Sequence, residues 1–412
     1  MPEIQPFPGI RYGVDAEDLA RVVAPPYDVI SPARRDELYA RDAHNIIRVV
    51  LNRTSGEAGY AEAGDTLRSW IADGVLRPEE VPSLYVLEQS FAVGTATHRR
   101  LGLLARFRAE DPDRGIILPH EKTRSAPKED RWRLLQTTRA NFSPILLMFP
   151  DPENRFSALV SETMKTPPLA HFDDDEGVGH RLWRIDDGEL IGEWQSLLGG
   201  SKAYIADGHH RHATALRWRD ETGPEGAWTL GYLTPMEAPG LLVLPYHRVL
   251  FEGPSLDEAS NRLTGHFLLK RVADVRAGAA AVSASKARWA FALAEQGKGA
   301  LVAEAKPEAD SLLSAESPAC LRALDAYMVH NGVLGPLLDV SDDAVGYVHS
   351  LAEAEEALAS GACRLVLLLR GTPVRQIVDV SDAGESMPAK STFFHPKLPS
   401  GLVIHPLIEG GG

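Results

Sequence analysis

The chain has 412 residues, 44% of them hydrophobic and 24% charged, an ordinary globular composition long enough for two or three domains. Its formal net charge of −14 argues against non-specific binding to nucleic acid or to an anionic membrane, because neutralising phosphates needs a basic face. Two cysteines, Cys320 and Cys363, exclude a disulfide framework, no apolar run approaches the roughly 20 residues of a membrane span, and the opening residues have no leader pattern, so a cytoplasmic protein is expected.

Near the start, Ala24-Pro25-Pro26-Tyr27-Asp28-Val29-Ile30-Ser31 is a stiff extended stretch leading into a Ser31-Pro32 helix start. It suits a ligand-holding loop or a structural loop packing Tyr27, and the residues leave both open. Ile46 to Leu51 reads as a strand; Ala63, Leu67, Trp70 and Ile71 form a helical stripe stopped at Gly74. Ser83 to Phe91 and Arg99 to Phe107 read as an antiparallel pair around Gly94. An α+β segment over residues 1–112 is expected, ending at the turn-rich stretch 110–115.

A second segment, 113–251, carries the chemistry. Pro119-His120-Glu121-Lys122-Thr123-Arg124, followed by a helix opening at Lys128-Glu129-Asp130-Arg131, sets acid, base and cation side by side. Glu121 beside His120 suits a general base acting on a hydroxyl, with Lys122, Arg124 or Arg131 balancing phosphate charge; a solvated charged loop is the competing reading. Ser143 to Phe149 fits a buried strand, and 151–189 reads as polar, with Asp173-Asp174-Asp175-Glu176 as a solvated loop that could also hold magnesium.

Ala203 to Leu216 then reads as strand, turn and helix: Tyr204, Ile205 and Ala206 are apolar, Asp207 and Gly208 break the strand, and Ala213 and Leu216 recur at helical spacing. Gly208, His209, His210 and Arg211 thus fall at a helix N-terminus, where backbone N–H groups and the helix dipole favour an anion and glycine permits close approach. Arg211 adds a fork that matches phosphate oxygens. An Asp207 cap with surface histidines is the competing reading. His209 and His212 lie three apart, but no Cys pair or His-Glu-x-x-His pattern completes a zinc site.

The third segment, 252–385, is alanine-rich: a helix, a hairpin turning at Gly297-Lys298-Gly299, a helix from Ser317-Pro318 to Asn331-Gly332, and one with a Ser350–Glu353 capping box and a Gly361 stop. Residues 386–412 are expected to be an ordered arm returning to the core. Lys390-Ser391-Thr392 ends like a Walker A loop but lacks its glycines, so these residues either reach an anion held mainly by other segments or belong to a docked structural arm, and the residues leave both open.

In order along the chain, Ala-Pro-Pro-Tyr-Asp-Val-Ile-Ser, Pro-His-Glu-Lys-Thr, Ala-Asp-Gly-His-His-Arg and Pro-Ala-Lys-Ser-Thr-Phe-Phe-His-Pro-Lys resemble the bacterial and archaeal family called domain of unknown function 1015. The pair Pro119-His120-Glu121 and Asp207-Gly208-His209-His210-Arg211 also looks like the two boxes of the ParB and sulfiredoxin superfamily, above all its free serine kinases. That resemblance implies a ParB/sulfiredoxin-like core within a mixed α/β fold, nucleotide phosphates on the second box, and Glu121 as catalytic base. It further implies a small-molecule kinase acting on serine or a similar hydroxyl metabolite, with a nucleotide or pyrophosphate donor and Mg2+. A non-catalytic nucleotide sensor is the alternative. Asp28, Lys122, Thr123, Arg124, Arg131 and Lys397 are expected in support, with no nucleic-acid or membrane partner and no expectation of oligomeric state.

Overall fold

The computed structural model describes residues 2–123 and 125–407. Contacts group the chain into two units, one of Met1–Pro119, Thr123–Leu242 and Pro396–Gly412, the other of His120–Lys122 and Val243–His395. Both have the mixed α/β character expected. No helix among the described residues is long and apolar enough to cross a membrane.

The first unit is built on a nine-stranded sheet. Its strands are β1 (Ile4–Gln5), β2 (Leu84–Val93), β3 (Ala96–Arg108), β4 (Ile117–Leu118), β5 (Ile145–Phe149), β6 (Ala170–Asp173), β7 (Gly179–Ile185), β8 (Ala203–Asp207) and β9 (Trp228–Pro235). They run in the order β4-β8-β5-β9-β3-β2-β7-β6, with β1 on β3. The hairpin expected around Gly94 forms, with Val93 opposite Ala96 and Gly94 at φ +63°. Alternation then sends Leu84 and Val86 of β2 and Leu103, Ala105 and Phe107 of β3 into one core with Ile145, Leu147 and Phe149 of β5.

Helices α1 (Pro32–Arg41), α2 (Ile47–Val50), α3 (Gly56–Ala72), α4 (Ser125–Thr138), α5 (Arg155–Thr163), α6 (Gly188–Leu198) and α7 (His209–Thr222) complete this unit's main elements. Ser31 caps α1 as expected, accepting from Arg34 N–H at 3.2 Å. The stretch 46–51 is not a strand: Ile47–Val50 is one turn of helix, flanked by turn residues. Its β-branched residues favour extension, but Asn45 overrides them: its Oδ1 accepts from Ile47 N–H at 3.0 Å while its Nδ2 donates to the carbonyls of Arg21 and Val23. Residues 151–189 are also more ordered than their polarity suggests, holding α5, β6 and β7. The acidic run turns the β6–β7 hairpin and is anchored: Asp174 accepts from the Glu176 and Val178 N–H groups and pairs with His180, and Asp175 pairs with Arg34 and Arg41.

The second unit has a six-stranded antiparallel sheet of β10 (His247–Leu250), β11 (Phe267–Val272), β12 (Ala290–Glu295), β13 (Gly299–Ala305), β14 (Val345–Val348) and β15 (Leu365–Leu368), in the order β11-β13-β12-β15-β10-β14. Both faces are covered: Phe291 and Leu293 of β12 point into one apolar cluster, Ala290, Ala292 and Ala294 into another. Its helices include α8 (Leu256–Leu263), α9 (Val275–Ala284), α10 (Leu351–Ala359) and α11 (Val374–Asp382). The Ser350–Glu353 capping box closes on α10, and Gly361 follows at φ +70°. In place of one helix from Ser317 to Asn331 there are two short helical pieces, Ala319–Arg322 and Asp325–Met328, and a π-helical stretch at Val329–Leu334.

Candidate functional site

In the first unit, β8 delivers Asp207 to the sheet end and α7 begins two residues later. Between them Gly208 takes the left-handed conformation, φ +98°, and a Cβ there would lie 3.0 Å from the Arg211 guanidinium carbon. As the residue preceding α7, glycine offers the first turn no side-chain acceptor, and Asp207 is not its cap. Instead the Asp207 carboxylate binds two cations: Arg211 Nη2 donates to Oδ2 and Lys397 Nζ to Oδ1, both at 2.5 Å. Burial opposes ionisation of Asp207, yet Lys397 and then Arg211 outweigh it and hold the carboxyl well below the usual range. Arg211 Nη1 also donates to the Pro144 carbonyl, tying the helix start to the strand beside it.

The C-terminal residues come to Asp207 by a chain of bonds within this unit. Arg100, wholly buried on β3, donates to the Pro396 carbonyl at 2.6 Å, and Gln89 of β2 donates to the Lys397 carbonyl at 3.0 Å. Ser400 and Ala24 exchange backbone hydrogen bonds, so the stretch beginning at Ala24 and the arm at 396–407 are joined directly. Tyr27 lies under the Arg131 guanidinium, 3.9 Å from ring centre, and its hydroxyl is pushed up to about 12 by burial and by Asp28. Tyr27, Arg131 and Arg211 line one cleft together with Asn141, Ser143 and Thr214. Of the other expected groups here, His209 is buried at the start of α7, His210 is half-buried beside it, Thr123 is half-buried and Asp28 is exposed.

The second unit holds a different cluster. His120, fully buried, places Nε2 3.0 Å from Thr392 Oγ1, and the same hydroxyl donates to Glu121 Oε1 at 3.4 Å. A hydroxyl that donates to Glu121 keeps a lone pair for an Nε2–H of His120, so the three form an ordered relay. Backbone pairing fixes it: Met387 N–H donates to the His120 carbonyl at 2.8 Å and Glu121 bridges Met387. Ser391 is buried and donates to the Pro388 carbonyl. Lys390, at φ +58°, sets Nζ 4.9 Å from the Tyr246 ring centre and 3.4 Å from its hydroxyl. Lys122 is exposed, and Arg124 lies outside the described residues.

The sequence pointed to Thr392 as an anion contact and not as the partner of His120 and Glu121, which stand 272 and 271 residues away. Among the described residues no group of three or more His, Cys, Asp or Glu side chains could hold a metal ion.

The chain is a mixed α/β protein with a glycine-opened helix start and a carboxylate held between two cations. It belongs to the family described as "Protein of unknown function (DUF1015)", whose model matches residues 4–327. A search of curated proteins finds no match. Among solved structures the chain is similar to a free serine kinase variant in complex with AMP, at 15% identity and a TM-score of 0.36 over 72% of this chain and 89% of that one. It is similar also to a conserved hypothetical protein from Pyrococcus furiosus, at 12% identity and 0.34 over 72% and 93%. A third is SbnI with C-terminal truncation from Staphylococcus aureus, at 10% identity and 0.37 over 74% and 87%. Similarity this distant assigns no chemistry.

Proposed function

We propose that the chain is a small-molecule kinase with a ParB/sulfiredoxin-like core, moving a phosphoryl group from a nucleotide or pyrophosphate to a metabolite hydroxyl, with serine the first candidate. The observation that carries the reading is the helix start at Gly208, where a left-handed glycine, Arg211 and the Lys397–Asp207 pair bring fixed positive charge and backbone donors together. His209 and His210, at the same helix start, are assigned to the same anion. Asp207 is then a positioning residue that aims two cations, and Arg131 and Tyr27 flank Arg211.

Glu121 removes the acceptor proton as the hydroxyl oxygen attacks the terminal phosphorus; the bridging P–O bond breaks, and the shortened donor leaves with its electron pair. Thr392 and His120 hold the Glu121 carboxylate in one orientation. Mg2+ would offset charge on the donor phosphates; both Asp207 oxygens are engaged by cations and no acidic cluster among the described residues forms a site for it, so no step is assigned to the ion.

The test is incubation with serine and ATP, ADP or pyrophosphate, with phosphoserine read by mass spectrometry. Saturable nucleotide binding without phosphoserine, across a panel of hydroxyl acceptors, would replace the kinase with a nucleotide sensor.

A further inference from the structure

A buried guanidinium without a counter-ion is expensive, since desolvation of the charge is offset only by a partner anion or a full set of hydrogen bonds. The second unit contains one. Arg248, in β10, is 3% exposed and forms no ion pair among the described residues. It donates to the Tyr246 carbonyl, and its guanidinium carbon lies 5.6 Å from the Tyr347 ring centre, a weaker substitute for a carboxylate. Burial pushes it down to about 10, so it is still a cation at neutral pH.

Arg248 also lines a cavity of about 150 Å³ with Tyr246, Asp325, Arg370, Thr372 and Ser391. The one carboxylate in that set is already spent. Asp325 accepts from Arg370 Nε and Nη2 and from the Ala290 N–H, and Arg370 spreads its remaining donors over the carbonyls of Ser285, Ala287 and Arg288. The lining therefore carries one positive charge in excess, with the hydroxyls of Tyr246, Thr372 and Ser391 alongside. Its volume holds a handful of waters, or one anion the size of phosphate or a short carboxylate.

We infer that this cavity is a binding site for a small oxyanion, a phosphate or carboxylate group, held by Arg248. The inference does not rest on the phosphotransfer reading. Phosphate and carboxylate share the planar or near-planar oxygen pair that a guanidinium fork recognises, and separate titrations distinguish them.

The experiment follows thermal unfolding of the full chain at constant ionic strength, titrating inorganic phosphate in one series and glycolate in another against potassium chloride. The expected result is a saturable rise in Tm with at least one of the two. Arg248→Met should weaken the apparent affinity roughly 10- to 100-fold, the range for losing charge-assisted hydrogen bonds. It should also raise Tm in anion-free buffer, because an uncompensated buried charge is gone. Ala323→Leu, which narrows the same cavity and keeps every charge, should weaken binding about ten-fold and keeps the test decisive if the methionine variant does not fold. A rise matched by potassium chloride, or one that survives both variants and disappears in Arg211→Ala, overturns the inference; the last outcome would leave the phosphate site of the first unit standing.

Discussion

Lys397 donates to Asp207 across 190 residues of chain, and the bond makes the arm at 396–407 part of the first unit's central motif. Both side chains are largely buried, at 11% and 19% exposure. Lys397→Met removes the first of the cations that hold the Asp207 carboxylate and should destabilise the protein by about 3 kcal/mol at pH 7, the lower end for breaking a buried pair. The folded-state pKa of Asp207 is depressed, so its contribution is complete above the unfolded value of about 3.9 and fades as pH falls through the folded one. Urea unfolding at pH 7 and pH 3 should show the variant's deficit shrinking in acid. A deficit equal at both pH values would mean that Lys397 acts through packing.

His212 of α7 is 3% exposed, its Nε2 has no hydrogen-bond partner, and its ring lies parallel to that of Phe107 with centroids 6.4 Å apart. Burial lowers its pKa to about 4. The unfolded chain therefore binds a proton the native state refuses between about pH 6.5 and that value, and stability falls as pH drops through this window. His212→Phe removes both the orphan nitrogen and the titration. Unfolding free energy should rise by about 1 to 2 kcal/mol at pH 7 and by more at pH 5; a variant no more stable at pH 5 than the parent would refute the account.

The elements legible in the sequence are those whose signal is local. The β8–Gly208–α7 unit, the Gly94 hairpin and the Ser350–Glu353 capping box each declare themselves within a few residues. Where a distant partner decides, the local signal misleads. Ile46 to Leu51 looks extended until Asn45 is bound to carbonyls 22 and 24 residues earlier, whereas the acidic run is the exposed loop its charge suggests, with Arg34 and Arg41 pairing Asp175 as a contact that its own residues do not announce. The candidate site divides in the same way: Gly208 to Arg211 could be read from strand, break and helix, whereas the Thr392 contacts with His120 and Glu121 carry no sequence signature.

Arg211→Ala should weaken ADP binding by about 1.5 to 3 kcal/mol, the range for a hydrogen bond to a charged group. It should also lower stability, because Arg211 serves Asp207 and the Pro144 carbonyl. Arg211→Lys separates the two effects by keeping the charge and losing the fork. Calorimetry with ADP, beside urea unfolding, reads them independently. A stability loss with unchanged ADP affinity would make Arg211 purely structural.

The kinase reading depends most on Glu121. If this carboxylate takes the acceptor proton, Glu121→Gln, which keeps the shape but cannot accept the proton, should cut phosphoserine formation by about 10² to 10⁴ while ADP affinity stays within about two-fold. A sensor gives no turnover in either protein, and a solvated acid gives no change in whatever turnover exists. Thr392→Val supplies a finer test. The Thr392 hydroxyl donates to Glu121 Oε1, and a donor to the ionised form favours ionisation, so its loss should raise the pKa of Glu121 and move the acid limb of kcat/KM to higher pH. A merely structural Thr392 would lower activity with the limb unmoved. Rescue by Thr392→Ser, which restores the donor without the methyl group, should return the limb to its original position.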